Sequence, residues 1–569
     1  MTAMVGQRLA MAALGALAGV AAYGLGRLAE AQVLPDRLVL AITVFAAVFF
    51  PGVLVMTGPL RPLRAALGTG ALGLAVAALA LLASLRFAEV EGVMQPHLVL
   101  PALALATVPL PFWIAASRGA WRDYALLFSE AWSIVVRWLV AWAFAGFVWA
   151  VIMLSHGLLD TIGITVIRDL IEVEVVPYLI TGAVLGLGLA VVQELQDYVS
   201  PYLILRLLRL VLPAVLAVTA VFLIALPLRG VTGVFENFGV AQVMLAMAGV
   251  AATLVTTAVD QDDELATRSA VLIHSARAMA LLLPLLAAVA VWAIWLRVGQ
   301  YGWTPGRIFA AEVAALGLGY GLLYALAVLR GAGWMARIRG ANVTMALALA
   351  ALAALSLTPV LNHERIAANG HLARYQSGAI EAAAVDPNAL QRWGLPGAEV
   401  LATLTDLAIQ PGQEALADRL ANRALLVDAP SEALLAEVRD ALPLQPATAT
   451  AIRDEALSLL DAPSLRYAQR ACAGTLPGGG PGCVMVVADF LPREPGEEAL
   501  MVLWDVDGYA RFEGFAQGRG RFVIQVHRPA GLPTGAEAAQ LIRDWQAAPP
   551  AIEPAPINRT TGAGLFLLE

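Results

Sequence analysis

The stretch "MALALAALAALSLTPVLNHERIAANGHLARYQ" (residues 345–376) decides how this chain is divided. Its first half is an unbroken apolar run of Ala and Leu, long enough to belong to a bilayer-spanning helix. After Thr358-Pro359 the pattern changes at once. Asn362, His363, Glu364 and Arg365 stand in a row, and nothing beyond them is apolar for long. Residues 1–361 therefore read as a membrane part, and residues 362–569 as a soluble tail.

Composition supports the division. Hydrophobic residues make up 60% of the chain and charged residues 14%, with mean hydropathy +0.75. Soluble domains carry about 25% charged residues. The membrane part holds 20 Arg against 18 acids and the tail 16 Arg against 25 acids. The net charge of −7 thus belongs to the tail and argues against a nucleic-acid partner.

A bilayer core of about 30 Å needs about 20 apolar residues in a helix. Eleven stretches meet this, near 9–26, 38–58, 65–85, 98–117, 132–155, 175–193, 208–227, 240–259, 279–296, 308–329 and 341–361. Arginines between spans set the expected orientation. Twelve lie on the side of the N-terminus, including Arg8, Arg61, Arg64, Arg337 and Arg339, and seven on the other side. We expect the N-terminus in the cytoplasm of a bacterial inner membrane and the tail in the periplasm.

Two connections read as interfacial. Residues 158–174 keep Leu159, Ile162, Val166 and Leu170 at helical spacing, an amphipathic pattern suited to lie along the outer surface. Residues 118–131 mix Trp121, Tyr124 and Phe128 with Arg118 and Arg122.

Ionisable groups inside spans are functional candidates because charge in lipid is costly. Arg137 lies inside the fifth span, where its long stem suits snorkelling to the inner surface. Glu312 lies inside the tenth, placed to pair with Arg307 or to line a cavity. Glu194 and Asp197 read as headgroup-level residues. No metal site is expected: the six histidines are scattered, although His363 and His371 are eight residues apart. No cofactor motif and no catalytic set is present.

The tail reads as α+β. Residues 362–460 carry helical periodicity, as in "EALADRLANRALL" and "SEALLAEVRDAL". Residues 461–569 turn to period two at 484–490, 499–505, 509–515 and 521–527, which predicts a small antiparallel meander. Turns are expected at Asp507-Gly508 and Gly518-Arg519-Gly520, a helix near 535–547, and an extended Pro-rich end. Cys472 and Cys483, the only cysteines, flank "AGTLPGGGPG". In an oxidising compartment they should form a disulfide. A redox pair usually has two-residue spacing.

Four segments carry a family resemblance: "LLDTIGITVIRDL" (158–170), "LILRLLRLVLPAVLAVTAVFLIALPLRGVTGVF" (203–235), "YGWTPGRIFAAEVAALGLGYGLLYAL" (301–326) and "NHERIAANGHLARYQSGAIEAAAVDPNALQRWG" (362–394). In the last, Arg374, Gly378, Asp386 and Leu390 match the family pattern. The chain resembles the bacterial polytopic membrane family catalogued as domain of unknown function 4153, over residues 130–400. The resemblance implies an inner-membrane protein and assigns no reaction or catalytic residue.

The expectation is a membrane all-α protein of about eleven transmembrane helices with a soluble α+β C-terminal domain. The expected role is non-enzymatic, in envelope assembly, sensing or scaffolding, with the lipid bilayer and other envelope proteins as partners. A transporter or lipid flippase is the alternative, resting on Glu312 and Arg137. A membrane-embedded transferase acting on lipid-linked substrates is a second, resting on Glu30 and Asp36.

Overall fold

The structure is a computed structural model. It describes residues 2–31, 33–194, 201–229, 239–427, 432–490, 496–504, 509–516, 520–522, 525–527, 533–553, 559–560 and 566–568. Within them, eleven helices are long and apolar enough to cross a bilayer. These are span 1 (Val5–Ala31), span 2 (Asp36–Met56), span 3 (Pro62–Ser84), span 4 (Pro96–Ser117), span 5 (Tyr124–Asp160), span 6 (Val175–Glu194), span 7 (Ile204–Leu226), span 8 (Ala241–Val259), span 9 (Ala270–Tyr301), span 10 (Pro305–Leu329) and span 11 (Trp334–Leu357). Each falls on one of the expected apolar runs.

Polar contacts between distant helix ends fit an odd number of crossings. Arg8 bonds Glu194 at 2.9 Å, joining the start of span 1 to the end of span 6. At the other ends of the same two helices, Tyr23 donates to Glu174 at 2.9 Å. Arg86, after span 3, reaches Glu364, after span 11, at 3.0 Å. Arg374 donates to the carbonyls of Gly299 and Gln300, at the end of span 9, at 3.1 and 3.0 Å. Every pair joins ends of the same parity. The bundle thus has an N-terminal face and a far face, and residues 358–407 lie at the far face.

Span 5 has 37 residues, about 55 Å of helix at 1.5 Å per residue. That exceeds the ~30 Å hydrocarbon core. Asp123 starts it, accepting from the Ala125 N–H at 3.0 Å. Span 4 is two helices, Pro96–Thr107 and Pro109–Ser117. Pro109 and Pro111 lack the N–H groups that would bond the carbonyls of Leu105 and Thr107.

The expected amphipathic stretch at 158–174 is not one helix. Span 5 ends at Asp160, the chain turns through Gly163 at φ +78°, and a six-residue helix runs Val166–Ile171. Backbone geometry that L-residues rarely adopt breaks the helix there. Leu158, Ile162, Val166 and Leu170 all remain exposed.

The chain forms two compact units, residues 1–407 and 408–569. The first keeps the post-membrane helix His363–Gln376 and the helix Gly394–Ala408 up to Leu407.

The second unit is built on a five-stranded sheet in sequential order: β1 (Leu444–Gln445), β2 (Cys483–Ala488), β3 (Glu498–Trp504), β4 (Ala510–Ala516) and β5 (Gly520–Phe522). From β2 to β5 it is the expected antiparallel meander. Period-two alternation buries both faces. Met485, Val487, Met501 and Leu503 pack with Val438, Leu457 and Leu465 of the preceding helices. Val484, Val486, Leu500 and Val502 pack with Ile542 and Trp545 of the helix Gly535–Ala547. The result is helix, sheet, helix.

Two features depart from the sequence reading. β1 pairs parallel to β2; its two residues sit between prolines and carry no periodicity. The stretch 521–527 is split: β5 stays with β4, and β6 (Gln525–His527) joins a second sheet with β7 (Ile552–Glu553), β8 (Arg559–Thr560) and β9 (Phe566–Leu568), in the order β6-β9-β8-β7. The expected turns at Asp507-Gly508 and Gly518-Arg519 lie outside the described residues.

Cys472 and Cys483 are a disulfide-compatible pair, with Cα atoms 4.9 Å apart. The loop between them is pinned. Gly478, Gly479 and Gly480 all have positive φ, from +89° to +99°. Gln546 donates to the carbonyls of Pro481 and Cys483 at 2.7 and 2.8 Å. Replacing both cysteines by serine is expected to lower the stability of this unit by about 3 kcal/mol, the loop-closure entropy of so short a loop. Thermal unfolding of the whole protein, with and without reductant, checks it. A wild type indifferent to reductant would show that no bond forms.

Candidate functional site

Glu312 leads to the first cluster, which is at the far face of the membrane unit. It sits on span 10, two turns in from Pro305. Ser356 of span 11 donates to its Oε2 at 3.0 Å, and His363 Nε2 lies 2.5 Å from its Oε1. His363 opens the post-membrane helix because Asn362 caps it, accepting from the Arg365 N–H at 2.9 Å. That cap turns His363 and Glu364 inward, where both are fully buried.

Glu364 completes a second pair. Its Oε1 lies 2.6 Å from His97 Nε2, and its Oε2 accepts from Arg86 at 3.0 Å. Arg86 also donates to the carbonyls of Ser356 and Thr358, each at 2.7 Å. The rings of His97 and His363 meet edge to face, 5.4 Å apart. Burial opposes ionisation of Glu364, but the His97 hydrogen bond and the Arg86 charge outweigh it. Its carboxyl is held below the usual glutamate range.

The second feature is a cavity of about 640 Å³ between spans 4, 5, 8, 10 and 11. Thr107 and Val108, at the break in span 4, line it. Irregular backbone at membrane depth is tolerated where it lines a cavity. Span 10 offers one stripe to it, through Val313, Gly317, Tyr320 and Tyr324. The rim includes the exposed Val135, Gly249 and Thr253. The opening therefore faces sideways, onto the apolar flank of the bundle.

At the N-terminal end of the cavity four side chains form one chain of hydrogen bonds. Thr256 and the Tyr324 hydroxyl are 2.8 Å apart, and Tyr324 donates to Asn342 Oδ1. Asn342 Nδ2 donates to the Tyr124 hydroxyl at 2.9 Å. With Tyr324 committed to Asn342, Thr256 donates to Tyr324. Tyr124 accepts in this chain of bonds, so its own proton can be offered to a molecule in the cavity. Beneath this, Arg209 pairs with Asp260, and Arg339 donates to the carbonyls of Val259 and Asp260 at 2.8 and 3.1 Å and to Asp263 at 2.7 Å. These arginines are balanced by acids and by helix-end carbonyls.

The residues singled out from the sequence divide. Glu312 belongs to the far-face cluster. Arg307 does not pair with it: Arg307 donates back to the Gly302 carbonyl at 2.8 Å and lies over the Tyr301 ring. Arg137 does not reach solvent. It is buried, donates to the Val55 and Ser133 carbonyls, and lies 3.8 Å from Glu130. Glu194 pairs with Arg8, and Asp197 lies outside the described residues. Glu30 meets Arg27 in an exposed pair, and Asp36 starts span 2. His371 meets Trp393 edge to face, away from His363's partners. Among the described residues no group of three or more His, Cys, Asp or Glu is placed to hold a metal ion.

The family described as domain of unknown function (DUF4153) matches residues 38–404. The chain belongs to this family. The match begins much earlier than residue 130, taking in spans 2 to 4 and with them Arg86 and His97. It ends three residues short of the boundary between the two units. Span 1 and the second unit lie outside it. No curated protein and no solved structure matches the chain.

Sequence reasoning overlooked most of both sites. In the sequence Arg86 is one of the seven loop arginines on the far side, and His97, Glu364, Tyr124 and Asn342 carry no signal beyond that of their segments. Their partners lie far along the chain, 278 residues for Arg86 and Glu364. One local signal is available: a Glu two residues past an Asn helix cap, shortly after a membrane span.

Proposed function

We propose that the membrane unit binds an amphiphilic lipid in the cavity between spans 4, 5, 8, 10 and 11. The protein is then an envelope protein of the bacterial inner membrane that recognises a lipid without chemically transforming it. One observation carries this reading: a sideways-opening apolar cavity that ends on a connected set of neutral polar groups. Its volume of about 640 Å³ lies within the ~300–1,000 Å³ of small-molecule sites. The apolar part suits an acyl or prenyl chain. The Tyr124 hydroxyl suits an oxygen acceptor on the polar part.

The orientation that fits the arginine bias has the N-terminus in the cytoplasm and residues 408–569 in the periplasm. Oxidation of the cysteine pair suits that compartment. Partners are the bilayer and, through the second unit, other envelope proteins. A sensing or assembly role would take the bound lipid as its signal; a flippase role would require the lipid to leave at the opposite face.

Ala252 lines the cavity, and Ala252→Trp fills it. Native mass spectrometry of protein purified in mild detergent should show lipid retention falling about tenfold, equal to ~1.4 kcal/mol. Tyr124→Phe should weaken it less, with the fold intact. Equal lipid retention in wild type and Ala252→Trp would sink the reading. For orientation, a membrane-impermeant thiol reagent should fail to label intact, unreduced cells and should label after reduction. Failure to label after reduction would count against the orientation, and labelling without reductant would count against the bond.

A further inference from the structure

The ionisable groups buried at the far face do not balance. Arg86 carries one positive charge, while Glu364 and Glu312 together carry two negative ones when ionised. The Arg86 and Glu364 side chains are 4% and 1% exposed, and Glu312 is 11% exposed. A net charge left in such a place is costly, and one bound proton removes it.

The geometry says where that proton goes. Arg86 bonds Glu364 directly, so that carboxylate already has its cation. Glu312 has none. Its partners are the Ser356 hydroxyl and His363 Nε2. His363 is fully buried, and its second ring nitrogen, Nδ1, has no hydrogen-bond partner. An imidazole against an unbalanced carboxylate is a ready proton acceptor.

Every element packed around the pair brings a known group. Span 10 brings Glu312, span 11 brings Ser356, and span 4 brings His97, whose nitrogen is engaged by Glu364. Arg86 follows span 3 and is engaged by Glu364 and two carbonyls. Among the described residues, the nearby cations of this face are directed elsewhere: Arg37 to the Phe87 carbonyl, Arg307 to Gly302, Arg365 toward Glu399, Arg374 to the Gly299 and Gln300 carbonyls and Arg297 over the Tyr301 ring.

We propose that His363 and Glu312 form a proton-binding site that takes up one exchangeable proton at the far face, with Ser356 orienting the carboxylate. Glu312, the member of the pair with some exposure, is the point of exchange. The site joins the post-membrane helix to span 10. Val313, next to Glu312, lines the cavity, so the proton site and the cavity share one helix. The proposal does not depend on what fills the cavity.

Infrared difference spectra of the whole protein in nanodiscs, recorded between about pH 5 and 8 where histidine titrates, test it. Wild type should show one imidazole–carboxylate change. Glu312→Gln and His363→Gln should each lose it, and His97→Gln should keep it. Ser356→Ala removes one hydrogen bond to the carboxylate, so the same change should move to higher pH. This smaller variant tests the site even where the others fail to fold. A signal that survives Glu312→Gln and His363→Gln, disappears only with His97→Gln, or stays put in Ser356→Ala would overturn the assignment. So would its absence from wild type.

Discussion

Replacing Glu364 with leucine is expected to destabilise the protein by about 3–5 kcal/mol, the range for removing one member of a buried ion pair. Arg86 would keep its bonds to the Ser356 and Thr358 carbonyls but lose the carboxylate that balances it. The effect should be read as a large drop in unfolding temperature in detergent. Adding Arg86→Met to Glu364→Leu should recover much of the loss, because no charge is then stranded. If the single variant stays within ~0.5 kcal/mol of wild type, as surface changes do, the pair contributes nothing to stability.

The same pair sets a pH dependence. The Glu364 carboxyl is held below its ordinary range: burial opposes its charge, and the His97 hydrogen bond and Arg86 outweigh burial. A carboxyl lowered on folding contributes stability that is complete above its unfolded value and is lost as pH falls through its folded value. The contribution of Glu364 should therefore be constant through neutral pH and fade only in acid, below the usual glutamate range. Unfolding temperatures measured in steps down through acid should show this loss in wild type, and a shallower one in Glu364→Leu.

The second large effect is expected where spans 1 and 6 cross. A Cβ placed on Gly182 would lie 2.1 Å from the Gly15 carbonyl oxygen, and one on Gly15 would lie 2.0 Å from the Gly182 oxygen. Gly19 and Gly186 are as close to the partner backbone, at 2.0 and 2.1 Å. Small residues let membrane helices approach this way. Gly182→Val forces the helices apart. The expected cost is at or above the ~1–3 kcal/mol of ordinary overpacking, because the obstacle is backbone and not a movable side chain. Gly24→Ala on the same span 1, with nothing within 4 Å, should be neutral or gain up to ~1 kcal/mol of helix propensity. Limited proteolysis should release span 1 from Gly182→Val and not from Gly24→Ala. Equal resistance of the two would mean the crossing is not as close as described.

Span positions were readable from the sequence because each carries its own signal. A run of apolar residues is local, and so is its need to satisfy its backbone as a helix. The same holds for the strands 483–488, 498–504 and 510–516, whose period of two is decided residue by residue. The continuous helical spacing read over 158–174 failed on a single local event, the turn at Gly163. The split at 521–527 failed for another reason. Nothing in those residues tells which sheet will accept them, since a strand's partner is chosen by the rest of the unit.

The sites were much less legible. Glu312 stood out because a carboxylate inside a span is rare, and it does belong to a cluster. Arg137 stood out for the same reason, yet it is held by carbonyls of spans 2 and 5 and by Glu130. Rarity marked both as costly and did not tell their surroundings apart.

The sequence by itself determined the eleven runs apolar enough to span a bilayer and the alternation of the tail strands. Each follows from hydrophobicity summed over neighbours in the chain. Only the tertiary structure decided that Arg86, His97, Glu312, His363 and Glu364 meet, and that Tyr124, Thr256, Tyr324 and Asn342 close one end of a cavity. Those meetings depend on which helices pack side by side. In a bilayer, lipid-facing and protein-facing apolar surfaces look alike in sequence, so packing partners are chosen by shape and by a few polar contacts. Those contacts join residues hundreds of positions apart.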